Sequence, residues 1–287
     1  MKKVWNIVGS TIFWCAVVAF FIATALLRSR NESARRVERL EVVVKDASER
    51  GFITPETVVG LIDNEGINPV GQPLEDVDLA HINRVVEEYC FTERAITYVD
   101  YEGRLTLELT QREPIVRVCT SSGYDFYLTS DLYVLPFRSH ATLNLPIVTG
   151  DVTFPFGTTF EGSLKEWLAG GEKNHRENYN FLSKLTNFVT FTERDPWLAG
   201  RVVQINLRSR PSSASKGAFQ EPEVEIVPSN GDYLVQLGSL EDVESKIARW
   251  RRFVEARVVE LKGGVLDVRY DQQALWRKAQ PKKRSKK

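Results

Sequence analysis

From Val4 to Leu27 the chain carries no charged side chain, and the run is closed by Arg28 and Arg30. A helix rises about 1.5 Å per residue and a hydrocarbon core is about 30 Å thick, so roughly 20 apolar residues suffice to cross it. This run is long enough, and it constrains all that follows: what folds beyond it folds on a tether. The reading is a leader of residues 1–3 and a transmembrane anchor of residues 4–27, with Val4, Trp5, Trp14, Phe20 and Leu27 as anchor residues. A cleaved signal peptide is the rival, since Ala23-Thr24-Ala25 resembles a cleavage site after a short basic start. A secretory core runs to only about 7–15 residues, so length favours the uncleaved anchor. Charge counting sets Lys2 and Lys3 against Arg28, Arg30, Arg35, Arg36 and Arg39, which by the positive-inside rule keeps the rest of the chain in the cytoplasm.

The remainder of the 287 residues is that of a folded protein, 43% hydrophobic and 26% charged overall. Its formal charge of zero is misleading. Seven of the 38 Lys and Arg precede residue 40 and seven lie at or beyond Arg277, so the body between them carries an acidic excess of about twelve. Such a body repels nucleic acid. The basic end, residues 277–287, reads as a disordered tail that either lies on anionic lipid or is simply solvated.

After a polar linker over 28–39, Leu40–Val44 is valine-rich and strand-like. Thr54 and Pro55 then open a helix carrying Val58, Leu61 and Ile62 on one face, and Asp78 opens a second with Leu79, Ile82, Val85, Val86 and Tyr89. Two period-two segments flank the turn at Asp100–Gly103, where Leu105, Leu107 and Leu109 alternate with polar residues as a hairpin with one buried face does. Strand, helix, helix, strand, strand makes a compact unit over 40–113, two helices covering a three-stranded sheet.

A β-rich domain over 114–276 follows. Strands are read at Ile115–Cys119, Asp125–Thr129, Tyr133–Leu135, Val202–Leu207, Glu223–Val227 and Tyr233–Leu237, with a polar loop over Arg208–Gln220. Helices are read at Tyr179–Phe191 and at Val243–Val254, the latter capped by Ser239 or Glu241. The fold class is therefore α+β. The last strand, in "VLDVRYDQQALWRK", alternates through Leu266, Val268 and Tyr270, and no later segment reads as its partner.

The spacings that chemistry requires are missing: no serine between glycines, no phosphate-cradling glycine loop, no helical His pair around a Glu, no paired-Cys motif. His81 is out of phase with its helix's apolar face, and His140 and His175 stand in polar surroundings, so all three read as surface residues and no metal site assembles. The carboxylates of Glu75-Asp76 with Asp78, and of Glu87-Glu88, read as solvated faces and caps. Cys15 lies in the apolar run, while Cys90 and Cys119 are either half-buried thiols or a disulfide. These observations favour an interaction protein without catalytic residues, metal or cofactor. The alternatives are a membrane-anchored cell-envelope enzyme built on scattered carboxylates, or a chaperone for outer-membrane protein assembly.

The order of parts resembles the FtsQ/DivIB family of bacterial cell-division proteins. "VDLAHI" (Val77–Ile82) and "LTLELTQREPIVRV" (Leu105–Val118) resemble the second helix and last strand of that family's polypeptide-transport-associated (POTRA) domain. "YLTSDLYVLP" (Tyr127–Pro136), "LPIVTG" (Leu145–Gly150), "VQLGSLEDVESKI" (Val235–Ile247) and "LDVRYDQQALWRK" (Leu266–Lys278) resemble successive landmarks of its β-domain. The chain departs from the family at Cys90-Phe91 and at Asp100-Tyr101-Glu102, and Gly170–Gln220 is longer than usual.

The resemblance implies a non-enzymatic scaffold of the division machinery. It would be single-pass in the bacterial inner membrane, at the division septum, with both domains in the periplasm, which overrules the charge count. It implies FtsB-like and FtsL-like single-span partners and, through them, septal peptidoglycan synthesis proteins. The terminal strand would present a sheet edge to such a partner, with Leu266, Val268, Arg269, Tyr270, Gln272 and Trp276 as partner-binding residues. Tyr270 and Trp276 would be aromatic anchors, and Arg269 would meet an acidic partner residue.

Overall fold

The computed structural model describes residues 14–24, 35–45, 51–120, 123–138, 143–150, 154, 156–169, 173–209, 219–229, 231–257 and 259–278. The leader, Val4, Trp5, Leu27, His140 and the tail beyond Lys278 lie outside the described residues. Residues 14–24 are helical, with Trp14 and Phe20 each about two-thirds exposed. Among the described residues no helix is long and apolar enough to cross a membrane. The chain divides into two compact units between Gln111 and Arg112.

The first unit runs β1 (Arg39–Lys45), α1 (Pro55–Asn64), α2 (Leu79–Glu87), β2 (Thr92–Val99) and β3 (Arg104–Gln111). Its sheet has the order β1-β3-β2, with β1 parallel and β2 antiparallel to the central β3. Both helix starts obey local chemistry. Thr54 accepts from the Thr57 N–H and Asp78 from the His81 N–H, each satisfying an otherwise orphaned donor. Leu105, Leu107 and Leu109 are buried, as are Val58 and Ile62 of α1 and Ile82 and Val86 of α2. Phe52 stacks on Phe91 at 4.8 Å, so the phenylalanine of the divergent Cys90-Phe91 pair is a core residue. Buried Gln111 ties the chain before α1 to the sheet: its Oε1 accepts from the N–H groups of Phe52 (3.0 Å) and Ile53 (2.9 Å).

Residues 35–38, inside the stretch read as linker, are already bonded into the first unit. Arg36 bridges to Pro73, the Val37 N–H donates to the Gln72 carbonyl, and the Glu38 N–H donates to that of Gly103.

Among the described residues the second unit is a ten-stranded mixed sheet. Its strands are β4 (Pro114–Cys119), β5 (Asp125–Thr129), β6 (Tyr133–Pro136), β7 (Ile147–Gly150), β8 (Gly162–Ser163), β9 (Val202–Arg208), β10 (Glu223–Pro228), β11 (Asp232–Gly238), β12 (Lys262–Asp267) and β13 (Leu275–Lys278). The spatial order is β13-β12-β11-β10-β9-β7-β4-β5-β6-β8. Helices α3 (Leu164–Ala169), α4 (Lys173–Arg194) and α5 (Val243–Ala256) complete it. Phe181, Leu182, Leu185, Phe188 and Val189 of α4 and Ile247 and Trp250 of α5 join the inward residues of the strands in one core. Trp250, fully buried, donates its indole N–H to the Tyr233 hydroxyl at 3.1 Å.

Two expectations about helices need correction. Helix α4 starts at Lys173, six residues before the first residue of the expected Tyr179–Phe191 segment, because its polar first turns carry no apolar stripe. Helix α5 is capped by neither Ser239 nor Glu241. Asp242 holds the cap position in a left-handed conformation, φ 49°, with no side-chain cap bond. Both expected caps are claimed elsewhere: Ser239 accepts from Lys246, and Glu241 pairs with Lys184.

Candidate partner-binding edge

The question of which strand lies open is answered by the register. Strand β12 pairs in parallel with β11, Val235 opposite Leu266, and antiparallel with β13, Leu266 opposite Trp276. The expectation that Leu266–Tyr270 forms the open edge is therefore corrected. The chain turns over Tyr270–Gln273 and supplies its own partner, so among the described residues the edge is Leu275–Lys278. The strand also runs through Arg277 and Lys278, two residues into the stretch read as tail. At the far side of the sheet the edge is only Gly162–Ser163.

Alternation sorts the side chains of this hairpin between two faces. Leu266 and Val268 are completely buried in the core. Trp276, half-buried beside Leu266, sets its ring edge-on to Tyr233 at 6.2 Å and lies across Gly264, where a Cβ would stand 2.6 Å from the indole. The glycine is what lets the tryptophan close the end of the core.

The opposite face carries a polar rung that crosses the strands side by side. Thr149, Asn206, Glu225, Gln236 and Asp267 stand in register, and the rung ends on Leu275 at the edge. Its two carboxylates are almost fully buried, and both are neutralised by arginine. Glu225 accepts from Arg208 at 2.7 Å, Asn206 at 3.1 Å and Gln236 at 3.2 Å. Asp267 accepts from Arg269 Nε at 2.9 Å and Nη2 at 2.8 Å, from the Arg269 backbone N–H, and from Arg277. Burial pushes the carboxyl of Asp267 up, but the Arg269 hydrogen bonds outweigh it and hold it below its ordinary value of 3.8. The same contest holds Glu225 low, against burial, chiefly through Arg208. The Asp267 carboxylate in turn raises the Arg269 guanidinium.

Arg269 is thus occupied: besides Asp267 it reaches Glu223 at 3.3 Å. Its aliphatic stem lies over Gly238, where a Cβ would come within 2.9 Å and where φ is +73°. Arg249 on α5 pins the segment from below, donating Nε and Nη2 to the Val268 carbonyl at 3.2 and 3.1 Å. What remains outward is Tyr270, half exposed, Gln272, exposed with φ 58°, and the edge residues Leu275 and Arg277, 42% and 60% exposed. The sequence reading missed Leu275, Arg277 and Asp267. The alternation of Leu275, Trp276 and Arg277 after a polar turn was the available signal.

The arrangement is suited to holding a short strand rigidly at the end of a sheet, not to acid–base chemistry, because its buried carboxylates are each committed to arginine. Among the described residues no cluster of three or more His, Cys, Asp or Glu is placed to hold a metal ion. His81 lies half-buried on α2, His175 stacks on Trp167 at 3.8 Å, and Cys90 and Cys119 are not joined in a disulfide.

Residues 35–110 match the family described as POTRA-like domain, and residues 113–274 match the family described as FtsQ/DivIB, C-terminal related. No curated protein matches the chain.

Proposed function

Because the chain belongs to the FtsQ/DivIB family and is a cell-division protein, we propose that it acts as a non-enzymatic scaffold at the division septum. Its anchor is the apolar run of residues 4–27 in the inner membrane, and both folded units stand in the periplasm. Its C-terminal sheet edge takes up a strand of an FtsB-like single-span protein, itself joined to an FtsL-like one, and so brings septal peptidoglycan synthesis to the site of division.

The observation that carries this reading is the open strand Leu275–Lys278 at the end of a rigid sheet. An unpaired strand offers a row of N–H and C=O groups to an incoming segment. Its shortness and its two basic residues discourage indiscriminate pairing and favour an acidic strand. Lys278 takes the charge-reading role expected of Arg269, with the exposed side of Arg277, itself paired to Asp267, beside it. Tyr270 and Leu275 are the side chains a partner meets, while Leu266, Val268 and Trp276 hold the edge in place.

The test is a photo-crosslinking residue at Leu275, and separately at Tyr270, in dividing cells, with the captured protein identified by mass spectrometry. Capture of a single-span coiled-coil division protein is expected. If both positions stay empty while sites in the POTRA-like unit capture division proteins, the edge is structural and the assignment fails.

A further inference from the structure

The end of the first unit where the chain enters it has a second use. Residues 35–38 are clamped between two loops. On one side the Gly71 N–H donates to the Val37 carbonyl, the Leu74 N–H to that of Arg35, and the Arg36 guanidinium to the Gly71 carbonyl at 2.7 Å. On the other, Arg35 donates to the carbonyls of Asp100 and Tyr101 in the β2–β3 turn, and the Glu38 N–H to that of Gly103. Both guanidiniums are thereby used to hold loops, and the large apolar side chains these loops present outward are Tyr101, 96% exposed, and Val70, 47% exposed, with the exposed Glu102 beside Tyr101 paired to Arg104.

Tyr101 has no packing role to explain it. Turn tips ordinarily carry small polar residues, and although a single exposed apolar side chain is ordinary on a surface, a ring this bare at a turn tip raises the question of what it meets. Its position says what that is. Only seven residues, 28–34, separate the end of the apolar run at Leu27 from Arg35. Even fully extended they reach at most about 25 Å, less than the roughly 30 Å breadth of a unit of this size. The unit cannot leave the bilayer surface by more than its own width, and the loops bonded to residues 35–38 are the end held closest. Tyrosine is the residue type that prefers the headgroup layer, apolar ring toward the hydrocarbon and hydroxyl toward water.

We infer that the loops around Val70 and Tyr101 rest on the bilayer that holds the anchor, with the Tyr101 ring in the headgroup layer as a second foot beside the tether. This rests on the anchor reading above. A foot of this kind would stop the unit from tumbling about its tether.

The experiment uses the full chain in vesicles of phosphatidylethanolamine and phosphatidylglycerol, with a photo-crosslinking residue replacing Tyr101. The control site is Glu93, exposed near the opposite end of β2. Flotation of the vesicles is scored first and lipid adducts second. Co-flotation with a lipid adduct several-fold more abundant from position 101 than from position 93 is expected. Co-flotation with equal or no adduct overturns the foot and leaves the anchor standing. Failure to float removes the anchor, and the foot with it. Tyr101→Ser, at a site that contacts no core residue, should leave the fold intact and raise the collision rate of a water-soluble quencher with a probe on Val70. An unchanged rate would count against the foot.

Discussion

Asp267 is the residue on which the C-terminal edge turns. A carboxylate with no exposed surface is unfavourable until its charge is matched, and two arginines from opposite sides of the hairpin match it. Asp267→Asn removes the charge and leaves the guanidiniums facing an amide. Arg269 keeps Glu223 and Arg277 opens to water, so the loss should sit near the low end for breaking a buried pair, about 3 kcal/mol. Chemical denaturation of the second unit measures it, and a loss near zero would mean that the arginines merely decorate the strand. Arg277→Ala, at a mostly exposed site, should cost well under that, roughly 0–1 kcal/mol. The pH dependence has a fixed sign. A carboxyl whose folded pKa lies below its ordinary 3.8 contributes stability that is complete above 3.8 and is lost as pH falls through the folded value. The hairpin should therefore hold from neutrality down to about pH 4 and loosen below it. Carboxyl titration followed by NMR should place the Asp267 midpoint under 3.8, and a midpoint above it would contradict the pairing.

The β12–β13 hairpin shows why a four-residue strand is hard to foresee. Its turn lacks the Asn-Gly or Asp-Gly signature of tight hairpins, placing Gln272 instead at φ 58°. Its second arm offers only the brief alternation of Leu275, Trp276 and Arg277, and two of its four residues are basic, so that it reads as the start of the tail. The arm is held by packing: Trp276 lies over Gly264 and against Tyr233, and no local signal announces that contact. Gly264→Val should force the indole off, at a cost of about 1–3 kcal/mol for overpacking, and detach the edge. Amide exchange in residues 275–278 should then approach unprotected rates while β11 stays protected. If the edge amides remain as slow as in the parent, the tryptophan is not what fastens the strand. By contrast, α1 and α2 were legible because their start signals are local: Thr54, Pro55 and Asp78 cap in place. The start of α5 was not, since Lys184 and Lys246, distant or unremarkable in sequence, claim the two side chains that looked like caps.

Each of the two units carries its own buried core, so each should fold alone. Residues 35–111 and 112–287, expressed separately, should give dispersed amide spectra, and collapse of either fragment would show that its core is incomplete. The proposed function divides labour along the same partition: the first unit would stand near the bilayer on its tether, and the second carries the strand Leu275–Lys278 offered to a partner. Much of this was written locally. The run without charge, the paired capping residues, the alternating leucines of β3 and the places of most strands along the chain are properties of short windows, where periodicity and capping chemistry act between neighbours in the chain. The position of the edge was not local. It depends on the turn at Tyr270–Gln273 bringing Trp276 back beside Leu266, and on Glu223, Gly238 and Arg249 meeting residues 267–269 from two other strands and a helix. Contacts between segments that far apart leave no period in the sequence, because burial and charge pairing fix them only once the sheet has formed.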